Sequence, residues 1–380
     1  MIRRTNAPRL VGLLAVLVLF ATAACSDDDD SSDDGASGGD GGSEESAEGG
    51  DGGLLQEVRD RGTLNCGVND GVPGFGVVDD AGDFSGFDIE YCRVVATAVL
   101  GDPDAVEFTP LDAETRFTAL QSREIDVLIR NTTYTASRDG GEGARFLTTT
   151  FYDGQGMMVK ADAGFQSVDD MGGTTICVLA GTTTELNLAT RFDSAGLDYT
   201  PLTFPDPEQI QEAFVGGQCD GWTSDKSQLA GVRSAFPDEQ GGPESLVIFD
   251  DEFSKEPLGP VVRDGDDQWA DAVNWSIIAT IQAEEFGITA DNLDEMRGSD
   301  NPDILRFLGE PVAAEEGDEP APFDPGLDLE PTFAADIIEQ VGNYGEIYDR
   351  TVGPDTALGL ERGVNAQWAD GGLLYAPPYR

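Results

Sequence analysis

Histidine is absent from all 380 residues of the chain. Without it, neither Ser-His-Asp nor Cys-His catalytic machinery can be assembled, and no zinc site can draw on an imidazole ligand. Lysine is nearly absent, occurring only at Lys160, Lys226 and Lys255. The 22 basic residues are outnumbered by 73 acidic ones, giving a formal net charge of −51. Such a surface repels polyanions and has no basic stripe, so nucleic acid is excluded as a partner. Also missing is an apolar run of the roughly 20 residues needed to span a bilayer.

The apolar stretch that does occur, residues 10–20, follows Arg3 and Arg4 and leads into Ala21-Thr22-Ala23-Ala24-Cys25. A charged start, a short apolar stretch and small residues at a cleavage point describe an export signal, expected to span residues 1–24. A cysteine at that point resembles a bacterial lipobox, so Cys25 is expected to be lipidated and to hold the protein to the outer face of the cell membrane. Residues 26–53 consist almost wholly of Ser, Asp, Glu, Gly and Ala, with eleven acidic residues and no basic one. With so little apolar surface to bury, nothing offsets the entropy of ordering this segment, and residues 25–53 read as a self-repelling tether. Loss of the signal removes three arginines and leaves 19 basic against 73 acidic residues in the mature chain.

Of five cysteines, Cys66, Cys92, Cys177 and Cys219 remain once Cys25 is assigned to lipid. An even number in an exported protein argues for disulfides. Three pairings are possible in principle, and the sequence neighbourhoods favour Cys66 with Cys92 and Cys177 with Cys219. No two of the four show CxxC spacing, so no metal site is expected, and no cofactor either.

The remaining residues are enough for two α/β lobes with sizeable cores. Leu64 to Val68 reads as a buried strand, residues 91–100 as an amphipathic helix and residues 106–108 as a second strand. A helix around Arg116 to Gln121 and a strand at residues 126–129 follow. The alternation restarts at Thr175 to Leu179, with a helix after Gly181, a strand at 199–204, a helix from Pro207 to Val215 and a strand at 219–223. This alternation predicts βαβ units and mainly parallel sheets flanked by helices. Residues 258–262 read as one more strand that returns the chain to the first lobe. From Trp269 to Trp368 the periodicity is mostly helical, interrupted by an acidic, proline-rich stretch at residues 315–331. The expected division is 54–149 for the first part of lobe one, 150–255 for lobe two, and 256–380 for the return and a helical C-terminal extension.

Five segments taken together are distinctive: Gly86-Phe87-Asp88-Ile89-Glu90, residues 131–138, Tyr152-Asp153-Gly154-Gln155-Gly156, Gly181-Thr182-Thr183-Thr184-Glu185-Leu186-Asn187 and Lys255-Glu256-Pro257-Leu258-Gly259-Pro260. In order and spacing they resemble the family 3 extracellular solute-binding proteins of ABC importers, in the branch of general, polar L-amino-acid binders. The resemblance implies a type II periplasmic-binding-protein-like fold of two hinged lobes. It also implies that Arg138 holds the ligand carboxylate, helped by Thr182 and Thr183 at a helix N-terminus. Asp225 would take the ammonium, while Asn131 and Thr133 line the cleft. Where common relatives stack an aromatic side chain on the ligand this chain has Val72, with Phe75 the nearby candidate to replace that contact. Arg130 is either a holder of a side-chain carboxylate or amide oxygen, or an ion-pair residue facing solvent.

The expected function is capture of a free L-amino acid, polar or acidic, outside the cell and its delivery to the permease subunits of an ABC importer. The expected receptor is a monomer without chemistry of its own. A sensing lipoprotein without transport is the alternative, and a dehydratase-like enzyme on the same fold a more distant one.

Overall fold

The computed structural model describes residues 53–313 and 319–380. The expected export segment, Cys25, all but the last residue of the acidic tether and part of the acidic stretch after residue 313 lie outside the described residues. Helix α1 (Leu54–Arg61) leads into β1 (Leu64–Val68) and three short strands, β2 (Gly71–Val72), β3 (Gly76–Val78) and β4 (Phe84–Ser85). Then come α2 (Phe87–Leu100), β5 (Val106–Pro110), α3 (Arg116–Gln121), β6 (Val127–Leu128), α4 (Ala136–Gly141) and β7 (Ala144–Phe146). The chain crosses through β8 (Phe151–Asp153) into β9 (Gln155–Lys160), β10 (Thr175–Leu179), α5 (Thr183–Ala195), β11 (Thr200–Phe204), α6 (Pro207–Val215), β12 (Gly221–Asp225), α7 (Lys226–Ser234) and β13 (Leu246–Ile248). It returns through β14 (Glu256–Leu258) to β15 (Val261–Arg263), then runs through α8 (Asp267–Glu285), α9 (Leu293–Met296), α10 (Pro302–Phe307), α11 (Phe333–Gln340) and α12 (Tyr344–Thr351).

Two five-stranded sheets result, ordered β5-β1-β6-β15-β7 and β11-β10-β12-β9-β13. β1 lies parallel to β5 and β6, and β10 parallel to β11 and β12, as βαβ connections require. In each sheet a single strand is reversed: β15 against β6 and β7, and β9 against β12 and β13. Both reversed strands directly follow a crossing, β9 after β8 and β15 after β14. The crossing strands themselves pair antiparallel, Phe151 opposite Leu258 and Asp153 opposite Glu256. Hence the mainly parallel, two-lobe α/β fold is present, with one antiparallel strand per lobe that the alternation did not predict.

Local chemistry accounts for the element ends. Asp206 accepts from the Gln209 amide with Pro207 in the first turn, which starts α6. Thr182 accepts from the Glu185 amide to start α5, and Gly196, in the left-handed region, ends it. Nearly the whole of β10 is buried because helices cover both faces of its sheet, which explains its unbroken apolar run. Two expectations need correction. The expected strand over residues 258–262 is two strands, broken at Gly259-Pro260 where a proline without an N–H cannot continue a ladder. The helix expected from residue 91 starts at Phe87 and is buried on nearly every side, packed between the first sheet and α8, α11 and α12, so it is not amphipathic.

Disulfides join Cys66 to Cys92 and Cys177 to Cys219, with Cα separations of 6.1 and 5.7 Å, one in each lobe. The C-terminal segment braces the crossing: the Asn365 carboxamide both accepts from the Tyr152 amide at 2.7 Å and donates to the Tyr152 carbonyl at 3.0 Å. Tyr344 Oη donates to the Thr150 carbonyl at 2.9 Å on the same path. Among the described residues no helix is long and apolar enough to cross a membrane.

Candidate functional site

The ends of β6, α3 and α4 in the first lobe face the start of α5 and the end of β12 in the second. Between them lies a cavity lined from both sides. Arg138, Thr133, Asn131 and Arg130 line it from the first lobe, and Thr182, Thr183 and Asp225 from the second. The structure thus brings seven of the eight sequence-predicted ligand residues together. Phe75 is the exception. Its ring is 1% exposed and packs edge-on against Phe87 and Phe151 in the main core, while Val72 reaches the cavity wall. Gly86 approaches the Phe75 backbone closely: a Cβ there would sit 2.3 Å from the Phe75 carbonyl oxygen, so this position takes glycine.

Arg138 lies in the first turn of α4, whose N-cap Thr135 accepts from the Arg138 amide at 3.2 Å. Its Nη1 donates to the Thr133 carbonyl at 3.0 Å, and Nη2 reaches across the cleft to the Gly181 carbonyl at 3.5 Å. The guanidinium lies 5.8 Å from the centre of the Phe117 ring. Burial lowers its pKa, with the carboxylates of Glu256, Asp225 and Glu142 acting in the opposite sense. A buried guanidinium held only by neutral carbonyls has donors suited to a carboxylate.

Opposite stands Asp225 at the end of β12, 5% exposed. Burial, and then the carboxylates of Asp153 and Glu256, push its pKa well above the ordinary carboxylate value, although Asn131 and Arg138 pull it back. A cation brought to Asp225 would relieve that strain. Asn131 ties the two sides. Its amide donates to Asp88 Oδ2 at 2.7 Å, its Oδ1 accepts from Asn69 Nδ2 at 2.7 Å, and its Nδ2 donates across the cleft to Asp225 Oδ2 at 3.3 Å. Its φ of 30° is positive, a conformation asparagine tolerates better than most residues and one often concentrated at binding sites. Thr133 and Thr183 meet hydroxyl to hydroxyl at 3.3 Å, and Thr183 donates to Glu256 Oε2 at 2.7 Å. The Thr182 hydroxyl is engaged in capping α5 and donates to the Leu179 carbonyl at 2.7 Å.

Arg130 is 5% exposed and faces the cavity, not solvent. Its Nε donates to the Leu111 carbonyl at 2.6 Å, and burial lowers its pKa to about 10 against the pull of Asp112, Asp88 and Asp70. Arg116 also lines the cavity, and sequence reasoning missed it. The sole hint was a charged residue opening an otherwise uncharged short helix. The arrangement therefore offers an anion holder and a cation holder on opposite walls, joined by hydroxyl and amide groups: a site for a small zwitterion.

A two-lobe α/β receptor of the type II periplasmic-binding-protein kind is what this fold and cleft define. Residues 64–289 match the family of bacterial extracellular solute-binding proteins, family 3, and the chain belongs to that family. It is similar to the general L-amino acid-binding periplasmic protein AapJ of Rhizobium johnstonii, 47% identical over 326 residues that cover 86% of this chain and 92% of that protein. A similar likeness holds for the glutamate/glutamine/aspartate/asparagine-binding protein BztA of Rhodobacter capsulatus, 47% identical and covering 86% of this chain and 93% of that one. Among solved structures, a periplasmic binding protein from Brucella ovis with glutathione bound is 47% identical with a TM-score of 0.81, covering 86% of this chain and 99% of that chain.

Proposed function

We propose that this chain is the substrate-binding component of an ABC importer for L-amino acids, polar and acidic ones in preference. The observation that carries the reading is the placement of Arg138 and Asp225, both buried, on opposite walls of one cavity. Arg138 takes the α-carboxylate and Asp225 the α-ammonium, while Asn131, Thr133, Thr182 and Thr183 complete the grip. The names of the relatives, which bind amino acids in general or glutamate, glutamine, aspartate and asparagine, support the same ligand class. Glutathione in the Brucella ovis neighbour fits as well, because its γ-glutamyl end carries a free α-amino acid group.

The lobes are residues 54–149 with 256–380, and 150–255, and the β8–β14 pair is the hinge about which they close. Closure is a population shift driven by the ligand's greater affinity for the closed state. Cys25 anchors the protein by lipid outside the cell membrane, the acidic tether holds it clear of the surface, and a monomer presents its ligand to the permease. Calorimetric titration with the twenty L-amino acids and glutathione tests the reading. Glutamate, aspartate, glutamine and asparagine are expected to bind at least about tenfold more tightly than leucine, a difference of about 1.4 kcal/mol. Tighter binding of leucine would overturn the preference, and no binding of any amino acid would overturn the function.

A further inference from the structure

Tyr152 lies in the middle of β8 and is paired in register with Pro257 of β14, with Asp153 opposite Glu256. Pro257 has no N–H to give, and Tyr152 turns its own amide and carbonyl toward the other edge of β8, where no strand lies among the described residues. One side chain occupies that edge: the Asn365 carboxamide, 4% exposed, bonds both groups, accepting from the Tyr152 amide and donating to its carbonyl. A carboxamide carries an acceptor and a donor side by side as a peptide group does, so Asn365 stands in for a third strand. Its own place is fixed. Arg362 Nε donates to the Asn365 carbonyl at 3.0 Å, and the same guanidinium holds Glu284 of α8 through two bonds at 2.7 and 3.0 Å. It also lies 4.9 and 5.0 Å from the centres of the Tyr344 and Tyr348 rings.

One residue further on, the attachments change lobe. The Asp153 carboxylate accepts from the Ser227 amide at 3.2 Å and from the Ser227 hydroxyl, and the Gly154 carbonyl accepts from the Lys226 amide at 2.9 Å, both at the start of α7 in the second lobe. The other crossing repeats this in register. The Glu256 carboxylate, 1% exposed, accepts from Thr183 and Asn187 of α5 at 2.7 and 2.8 Å, whereas the Pro257 carbonyl accepts from the Tyr134 amide of the first lobe at 2.8 Å. Bending between the lobes is thereby confined to the link from Tyr152 to Asp153 and the link from Glu256 to Pro257, which face each other across the pair. We infer that Asn365 is a hinge clasp: by fixing the first-lobe end of β8 it removes slack from the ligand-free receptor and raises its affinity for every ligand alike. The inference rests on the reading of β8 and β14 as the hinge. Slack in that strand would be regained on each opening and lost on each closure, since Asn131 and Arg138 reach across the cleft to Asp225 and Gly181 when the lobes meet.

The test compares purified wild-type, Asn365→Ala and Asn365→Asp proteins by calorimetric titration with glutamate, glutamine and alanine. It also measures the distance between spin labels attached through Asp193→Cys on α5 and Gln268→Cys on α8, both exposed positions. Asn365→Ala should weaken all three ligands by one common factor of about 5 to 30, the cost of re-ordering about one backbone residue on each closure. Its ligand-free label distances should spread wider than those of wild type, and saturating glutamate should bring both proteins to one narrow distance. Asn365→Asp keeps the bond from the Tyr152 amide and loses the one to its carbonyl, so its loss should be smaller and equally uniform; it serves if the alanine variant does not fold. Weakening that differs between ligands, unchanged affinities, or a uniform loss with unchanged label distances would overturn the clasp while leaving the amino-acid receptor standing. Wild type that binds glutamate with no change in label distance would overturn the hinge reading and the clasp with it. Failure of the wild type to bind any of the three would overturn the receptor and the clasp together.

Discussion

Replacing Arg138 by alanine separates ligand recognition from folding in this protein. The guanidinium is 9% exposed, and its partners in the chain are two neutral carbonyls, of Thr133 at 3.0 Å and of Gly181 at 3.5 Å. Neither carbonyl needs it strongly, and the Thr135 cap of α4 bonds the Arg138 backbone amide, which the substitution leaves in place. A ligand carboxylate would instead gain two charge-assisted bonds from the one group, each worth about 1.5 to 3 kcal/mol. Losing both gives about 3 to 5 kcal/mol, or roughly 10²- to 10³-fold and more in affinity. Arg138→Lys should recover little, because an ammonium cannot present the planar pair of donors. Titration with glutamate and a thermal melt of the same samples form the assay. Near wild-type affinity with an unchanged melting temperature would refute the assignment of Arg138 as carboxylate anchor.

Two further predictions concern stability. Burial raises the pKa of Asp88 to about 7 and that of Asp153 to about 6, against an ordinary 3.8, so both bind a proton more tightly folded than unfolded. The stability linked to them is present below the ordinary carboxylate value and is lost as pH rises through 6 to 7, so the ligand-free melting temperature should fall across that range, and Asp88→Asn should flatten the fall by up to about 4 kcal/mol; an unaltered slope in calorimetry at several pH values would count against it. Reducing the disulfides, which close loops with separations of 26 and 42 residues, should cost about 3.5 and 4 kcal/mol by chain-entropy arithmetic, read as a lowered urea midpoint in Cys66→Ser/Cys92→Ser and Cys177→Ser/Cys219→Ser.

What could be read from the linear chain is local or combinatorial. The apolar run Thr175–Leu179, the Asp206-Pro207 start of α6 and the four cysteines of an exported chain each carry their structural meaning within a few residues, since propensity, capping and cysteine parity act at short range. Motif order likewise pointed to Arg138 and Asp225, which meet across one cavity although 87 positions separate them. Tertiary structure alone decided the rest. Phe75 and Val72 stand three positions apart in one short apolar segment, and only the packing of Phe87 and Phe151 makes one core and the other cavity wall. The reversal of β9 and β15 depends on the paired crossing of β8 and β14, a contact between segments about a hundred residues apart. Arg116 reads locally as an ordinary exposed arginine on a short helix. Its burial beside two other guanidinia arises because α3, β6 and α4 converge on one cleft, and the desolvation cost of a charge is set by what surrounds it in space, not by its neighbours in the chain.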